Sequence, residues 1–281
     1  MSELTMRDTT ATLATARLKA QPRRGIPPWL RWGSWGPTLI TFVIAALLWQ
    51  VVAWTNPYVL PTLEAIGTSL VDDAGMYWSN FLVTLLEVVV GASAGILAGF
   101  LLAVIMAEFQ IIERAVMPLV IIVMVTPIVA IAPALVVAFG FGMVPKFIVT
   151  GLVVFFPMLV SSLAGLRDVD QKALDVFKTL HASRWEIFRE LRFPGSMPYV
   201  FAGLRIALPL AVVGAAVAEF VAAGQQAGLG SLTTSAAQAN LPVTWASIAL
   251  LCLLGVLLII VLALVRKRVL WWSDGEVTAK G

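Results

Sequence analysis

Six apolar runs, separated by more polar stretches, dominate this 281-residue sequence. A membrane-spanning helix needs about 20 predominantly apolar residues, so runs of this kind are candidates for crossing a bilayer. With 60% hydrophobic and 12% charged residues and a mean hydropathy of +0.94, the composition excludes an ordinary soluble domain. The pattern predicts an all-α polytopic membrane protein with about six transmembrane helices, at residues 37–54, 81–107, 115–139, 147–166, 199–223 and 245–265.

The Lys and Arg residues predict how the chain is oriented. Seventeen of the 19 lie on one side of a six-span topology, in both tails and in the second and fourth loops. Cytoplasmic loops carry an excess of basic residues, so both termini and the fourth loop, 167–198, are predicted to be cytoplasmic. Residues 1–35 and 271–281 are then cytoplasmic tails, the first of them flexible, around a transmembrane domain at 36–270. Lys146 is predicted to lie in a loop on the opposite side.

Three charged residues lie within the predicted spans, and their depth matters because a charge at mid-bilayer costs about 2.5–3.5 kcal/mol on insertion scales. Arg205 is predicted about two turns from the cytoplasmic end of its helix, where it can snorkel to the interface. Glu87 is predicted about two turns below the outer surface. Glu219, near the outer end, is predicted as an ion-pairing or capping group close to a gate, with substrate contact as the alternative. Glu219 and a candidate helix break at Thr126 and Pro127 are the candidate pathway or gate residues.

Catalytic and metal-binding motifs are absent from the sequence. There is no Gly-x-x-x-x-Gly-Lys-Ser/Thr phosphate loop, and one His and one Cys cannot form a His/Cys metal cluster or a full catalytic set. The chain is therefore predicted to be no enzyme and to carry no cofactor. Cys252 is predicted to be a small core residue. Gly91, Gly95 and Gly99 have a spacing that allows close helix contact, either within the bundle or between two copies.

The polar interval 167–198 stands apart from the apolar runs. It holds six Lys/Arg and five Asp/Glu residues. A lipid-binding or nucleic-acid-binding loop would be a like-charged basic run, which this mixture is not. Its apolar residues recur at helical spacing, which predicts two short amphipathic helices joined near His181. The apolar positions are Leu174, Phe177 and Leu180 in the first and Trp185, Phe188 and Leu191 in the second.

The run 175–188, followed by Phe-Pro-Gly-Ser-Met-Pro at 193–198, resembles the "EAA" loop of ATP-binding-cassette (ABC) importer permeases. The similarity is greatest to the branch that handles nitrate, sulfonates, taurine and pyrimidine or vitamin precursors. It covers about residues 57–270. Further matching segments, in order, are Val-Leu-Pro-Thr at 59–62, Phe-Gly-Phe-Gly at 139–142 with Lys146, Ala-Gly-Leu-Arg at 202–205, Ala-Glu-Phe at 218–220 and Gly-Leu-Gly at 228–230.

The loop departs from the family pattern at four positions. Asp175 stands where the family has Glu, and Val176 and Phe177 replace two Ala residues. His181 replaces a Gly that permits a tight turn between helices. Histidine tolerates the left-handed backbone better than most residues, so the turn is expected to survive.

The resemblance implies a type I ABC importer transmembrane fold with short cytoplasmic coupling helices in the bacterial inner membrane. It implies a permease that passes a small polar solute, delivered by an extracytoplasmic binding protein. The expected partners are a second copy of the chain, a cytoplasmic ATPase dimer that carries ATP and Mg, and membrane lipid; nucleic acid is not among them. Segments 155–157 and 213–220 resemble permeases for thiamine-precursor pyrimidines or riboflavin more than those for sulfonates.

The same resemblance implies which residues couple the permease to its ATPase. They are Asp175 and Lys178 as polar contacts, Leu174, Phe177 and Leu180 as the apolar stripe, His181, Ala182 and Ser183 at the turn, and Arg184 and Trp185 at the start of the second short helix.

Two other functions remain open at this point. A secondary transporter driven by an ion gradient needs coupling-ion ligands near the membrane midplane, usually on broken helices. Thr126-Pro127 and Ala132-Pro133 are candidate breaks in the third span, but no carboxylate accompanies them. A membrane scaffold without a transport role is the other possibility.

Overall fold

The computed structural model describes residues 32–221 and 227–271, and these residues are almost entirely helical. The tails at 1–35 and 271–281 fall largely outside the described residues. The helices are α1 (Trp32–Thr55), α2 (Leu63–Asp72), α3 (Ala74–Glu108), α4 (Gln110–Val125), α5 (Ile128–Phe139), α6 (Met143–Arg167), α7 (Gln171–Thr179), α8 (Arg184–Ile187), α9 (Phe193–Val221), α10 (Leu229–Ala236) and α11 (Leu241–Val269), with a π-helical turn (Phe188–Arg192) between α8 and α9.

The number of spans agrees with the prediction. Five helices of the described residues are long and apolar enough to cross a membrane, and a bent pair makes a sixth. α1 is one of the five, and it belongs to a unit of its own that ends at Pro57. The second unit, from Tyr58 onward, contains the remaining spans.

Close packing of α6 against both α3 and α9 forms the centre of the second unit. Gly95 of α3 lies so near α6 that a Cβ atom there would overlap the carbonyl oxygen of Gly151. Gly91 and Gly99 meet α6 in the same way, at Thr150 and Phe155. The small-residue spacing therefore serves helix packing within one chain.

The third predicted span is broken. α4 and α5 meet at 97°, and the break falls at Thr126 and Pro127. Proline has no N–H to donate and disfavours helical backbone in the residue before it. Thr126 is accordingly extended, with φ −72° and ψ 127°. Pro133 lies inside α5 and does not interrupt it.

The prediction of a second short helix in the 167–198 interval was wrong. α8, the π-helical turn and α9 form one continuous helix, Arg184–Val221, of 38 residues. The first residues of this helix are polar, so a hydropathy window does not include them in the apolar span. Arg205 consequently lies about six turns from the beginning of its helix rather than two.

Two ends of the bundle are distinguished below. The loop end carries residues 167–198, where α6 finishes and the long helix begins, and the far end is the opposite one. Cys252 lies between them on α11 and is exposed, so its assignment to the core was wrong. It faces an apolar cleft between α9 and α11.

Candidate functional site

α7 is a short amphipathic helix on the surface of the loop end. Asp170 caps it by accepting a hydrogen bond from the Lys172 N–H at 3.0 Å. Leu174 and Phe177 are half-buried, whereas Leu180 is 73% exposed. The predicted stripe is thus only partly covered by the chain itself.

The polar pair on α7 is open to solvent. Lys178 Nζ lies 3.2 Å from Asp175 Oδ1, with the two side chains 59% and 70% exposed. Exposed pairs of this type stabilise a protein by only about 0–1 kcal/mol. Both groups are therefore free to exchange this contact for one with another protein.

A tight turn joins α7 to the long helix. His181 adopts the left-handed conformation, with φ 55°, as expected for the position where the family has Gly. The Ala182 N–H donates to the Phe177 carbonyl and the His181 N–H to that of Lys178, each at 3.0 Å. This is the Schellman pattern, which satisfies carbonyl groups at a helix end.

A capping box starts the long helix directly after this turn. The Ser183 N–H donates to the Glu186 carboxylate at 2.6 Å, and the Glu186 N–H donates to Ser183 Oγ at 3.2 Å. Two backbone donors are thereby satisfied reciprocally. Trp185 is 66% exposed and stacks on Phe188 with ring centroids 5.7 Å apart.

Ion pairs that the sequence did not reveal tie this surface to the bundle. Arg192 donates to Glu108 at 2.7 Å, where α3 ends. Arg167 forms a two-point contact with Glu113 of α4, one bond of which measures 2.5 Å. The partners of Arg167 and Arg192 are 54 and 84 residues away along the chain, beyond any local spacing rule.

A polar cavity of about 390 Å³ separates α7 from the corner between α3 and α4. Lys178 and Arg184 line it from the coupling side, and Glu108 and Arg192 line it from the bundle side. All ten predicted coupling residues therefore lie on or beside one surface at the loop end. That surface is exposed, mixed in charge and partly apolar, which suits docking of a protein.

The far end contains a buried charge cluster instead. Lys146 Nζ donates to Glu87 Oε1 at 2.7 Å, with both side chains at most 1% exposed. The prediction that Lys146 lies in a loop was wrong, because α6 begins at Met143 and its first turn points this side chain into the bundle. Lys146 also donates to the Ala227 carbonyl at 3.3 Å.

Glu219 caps α10 from within the same buried region, the capping role considered from the sequence. It accepts hydrogen bonds from Thr84 Oγ1 at 2.7 Å, from the Ser231 N–H at 3.3 Å and from the Gly230 N–H. Thr84 in turn accepts from the Leu229 N–H at 2.9 Å. A carboxylate at a helix N-terminus satisfies free donors and complements the helix dipole.

Thr126 lies elsewhere, at the break between α4 and α5. It lines a cavity of about 260 Å³ together with residues of α6 and Leu210 of α9. Leu210 is nine residues from Glu219, which is about 13 Å along a helix. The candidate pathway residues Thr126 and Glu219 are therefore not brought together.

The family model and the relatives found by comparison with known proteins all describe membrane components of transport systems. The family model described as "Binding-protein-dependent transport system inner membrane component" matches residues 95–271. A probable ABC transporter permease protein of Haemophilus influenzae is 32% identical over 84% of this chain and 96% of its own length. The formylaminopyrimidine transport permease protein of Halalkalibacterium halodurans is 34% identical over 79% of this chain and 89% of its own.

A third relative and one solved structure extend the comparison. The riboflavin transport system permease protein of Chloroflexus aurantiacus is 26% identical over 83% of this chain and 89% of its own. A chain of the MetNI methionine ABC transporter, in an inward-facing conformation, superposes with a TM-score of 0.55 at 18% identity. The match covers 70% of this chain and 95% of that one, and it shows a shared fold.

Proposed function

The chain belongs to the family of binding-protein-dependent transport system inner membrane components, and from that premise we propose how it works. It is the multi-pass permease subunit of an ABC importer and is not itself catalytic. ATP and Mg bind to a separate ATPase chain, which docks on the loop end. Neither the comparisons nor the described residues support the ion-gradient alternative.

The observation that carries the docking proposal is the exposed coupling surface. Leu180 and Trp185 leave most of their area uncovered, although apolar groups gain free energy by leaving water. Asp175 and Lys178 lie beside them with a weak, exchangeable ion pair. A partner that covers the apolar groups and meets the charges gains both affinity and orientation.

The connection from this surface to the membrane is mechanical. The turn at His181 passes directly into a helix of 38 residues, about 57 Å long, that reaches the far end. The ion pair of Arg192 with Glu108 fixes the start of this helix to α3, and the pair of Arg167 with Glu113 fixes the end of α6 to α4. ATP binding shifts the permease between states only through contacts that differ between them, and this surface supplies those contacts.

Two copies of the chain form the transport path, with both termini and the loop end on the cytoplasmic side. The binding protein docks on the far end, where the buried cluster around Glu219 holds α10 in place. The break at Thr126 and Pro127 is the candidate gate, because a helix interrupted within its span can bend there without breaking further hydrogen bonds.

The transported solute is a small polar molecule, and we favour the pyrimidine and flavin class. Relatives named for formylaminopyrimidine and riboflavin match at 34% and 26% identity. A taurine permease protein of Escherichia coli matches at 27%. The separate binding protein selects the solute, so its bound ligand identifies the substrate.

Asp175→Lys tests the coupling surface. The substitution reverses the charge at an exposed position, so we expect the permease to reach the membrane normally but to lose ATP-driven uptake. Glu190→Lys is the matched control, since Glu190 is 62% exposed on the same segment but outside the coupling set. Unchanged uptake by the Asp175 variant would contradict the docking proposal.

A further inference from the structure

Arg205 lies close to the middle of the membrane-spanning part of α9. Arg192, which pairs with Glu108 at the loop end, is 13 residues before it. Glu219, in the far-end cluster, is 14 residues after it. At 1.5 Å per residue these landmarks are about 20 Å and about 21 Å away, so Arg205 sits about midway between the two polar ends.

The side chain of Arg205 is exposed on an otherwise apolar face of the helix. Ala202, Ile206, Val213 and Phe220 recur at helical spacing on the same side and are exposed as well. Within the described residues Arg205 takes part in no ion pair. An unpaired cation thus faces outward from the single chain at mid-depth.

Lipid is an unfavourable neighbour for this group. A charged side chain at the centre of the bilayer costs about 2.5–3.5 kcal/mol on insertion scales, and more in simulations. Snorkelling does not remove the cost, because the arginine side chain spans about 6–7 Å and the hydrocarbon half-thickness is about 15 Å. Arg205 therefore requires water or another protein surface.

Residues 32–221 and 227–271 of a second copy offer no carboxylate to pair with Arg205 at this depth. Within the described part of the chain, every acidic residue lies at one end of the bundle or the other. At the far end are Glu64, Asp72, Asp73, Glu87 and Glu219, and at the loop end are Glu108, Glu113, Asp168, Asp170, Asp175, Glu186 and Glu190.

Two cavities lie beside α9 near the depth of Arg205. Leu210, five residues further along and about 140° around the helix, lines the cavity at the α4–α5 break, so this cavity lies within about 8 Å of the depth of Arg205 but on another face of α9. An apolar cleft of about 680 Å³ between α9 and α11 begins one turn away, at Pro209. A dry, packed interface would leave the five guanidinium donors without acceptors, whereas a hydrated path satisfies them.

We propose that Arg205 lines the hydrated path between two copies of the permease and contacts the solute midway through the membrane. The guanidinium offers planar, paired donors and stacks on aromatic rings. The solute it suits presents hydrogen-bond acceptors, either as an anion or as the carbonyl and ring nitrogen atoms of a heteroaromatic molecule. The inference rests on the proposed function and names the chemistry that this position selects.

Cysteine accessibility tests the location of Arg205 without any solute. Cys252 is the one cysteine of the sequence, so Cys252→Ser provides the background. Arg205→Cys is compared with Leu253→Cys, an exposed position near the middle of α11, using a charged, membrane-impermeant thiol reagent on the complete importer in vesicles. Thiolates form in water, so we expect Arg205→Cys to react at least about tenfold faster. Equal rates at the two positions would overturn the proposal.

Uptake by the reconstituted importer tests the contact with solute. Radiolabelled formylaminopyrimidine and taurine are the probes, one neutral and acceptor-rich, the other bearing a sulfonate. Arg205→Gln is expected to reduce uptake of the transported probe by about 10- to 100-fold, the range for losing a hydrogen bond to a charged group. Arg205→Lys is expected to retain more uptake, and Arg189→Gln, an exposed arginine nearer the loop end, to retain all of it.

Two further sets of measurements distinguish a failure of this proposal from a failure of the proposed function. Arg205→Gln is expected to keep the melting temperature, the dimer fraction and the ATPase activity measured without solute. Loss of dimer or of melting temperature would assign Arg205 to assembly and overturn its role in the path. Failure of the wild-type chain to bind an ATPase would contradict the proposed function alone, since the accessibility difference between positions 205 and 253 would still stand.

Discussion

The two ends of the permease use the same kinds of residue in opposite ways. At the loop end Asp175 and Lys178 form an exposed pair that solvent can replace. At the far end Glu87 and Lys146 form a pair with almost no exposure. The exposed pair can be exchanged for other contacts during transport, whereas the buried pair holds the fold in a single arrangement.

The energetic contrast follows from solvation. Breaking an exposed pair costs about 0–1 kcal/mol, because water replaces the lost partner. Breaking a buried pair costs about 3–5 kcal/mol, because the remaining charge stays out of water. The far end is therefore expected to be rigid through the transport cycle, with movement concentrated at the loop end and the break near Pro127.

Removing the buried cation should have the largest effect. Lys146→Met leaves Glu87 buried without its partner, so the free energy of unfolding in mixed micelles should fall by about 3–5 kcal/mol. Lys178→Met, in the exposed pair, should change it by less than about 1 kcal/mol. Similar losses for the two variants would remove the distinction between the ends.

A smaller loss of stability is expected from Thr84→Val, which keeps the side-chain shape and removes the hydroxyl. The change takes a donor from Glu219 and an acceptor from the Leu229 N–H, so unfolding should become easier by about 2–3 kcal/mol. Amide hydrogen exchange at 229–231 should also accelerate. Thr179→Val, an exposed threonine of α7, is the matched control and should be nearly neutral. If both variants behave alike, Thr84 does not hold α10.

The smallest expected effect is a gain in stability at the loop end. His181 has a left-handed backbone conformation, and His181→Gly relieves the associated strain. The free energy of unfolding, measured by thermal denaturation, should therefore rise by no more than about 1 kcal/mol. Ala182→Gly, at the neighbouring position, lacks this benefit and should not stabilise the turn. A destabilised His181→Gly protein would show that the imidazole itself has a structural role.

Hydropathy and motif order predicted the class of fold, the number of spans and the turn at His181. They failed to predict the start of one helix and the burial of one charged side chain. The start of the long helix, at Arg184, is polar and lies beyond the apolar run, so no hydropathy window includes it. The burial of Lys146 depends on Glu87, 59 residues earlier, and a lone charge beside a predicted loop gives no sign of that partner.

The break in the third span was only partly predictable. Pro127 and Pro133 both remove a backbone donor, yet the chain bends at one and stays helical at the other. The coupling residues were assigned from the resemblance of their loop to the EAA loop, and their role in docking an ATPase remains a prediction.

Site-specific crosslinking from Trp185 tests the central claim most directly. The indole is 66% exposed on the coupling surface, so a photoreactive phenylalanine analogue there should capture a docked partner in native membranes. We expect mass spectrometry to identify an ATPase with a phosphate loop, with a crosslinking yield that changes when nucleotide is added. Absence of an ATPase crosslink at Trp185, or an equal yield from the same analogue at Leu253, would contradict the account.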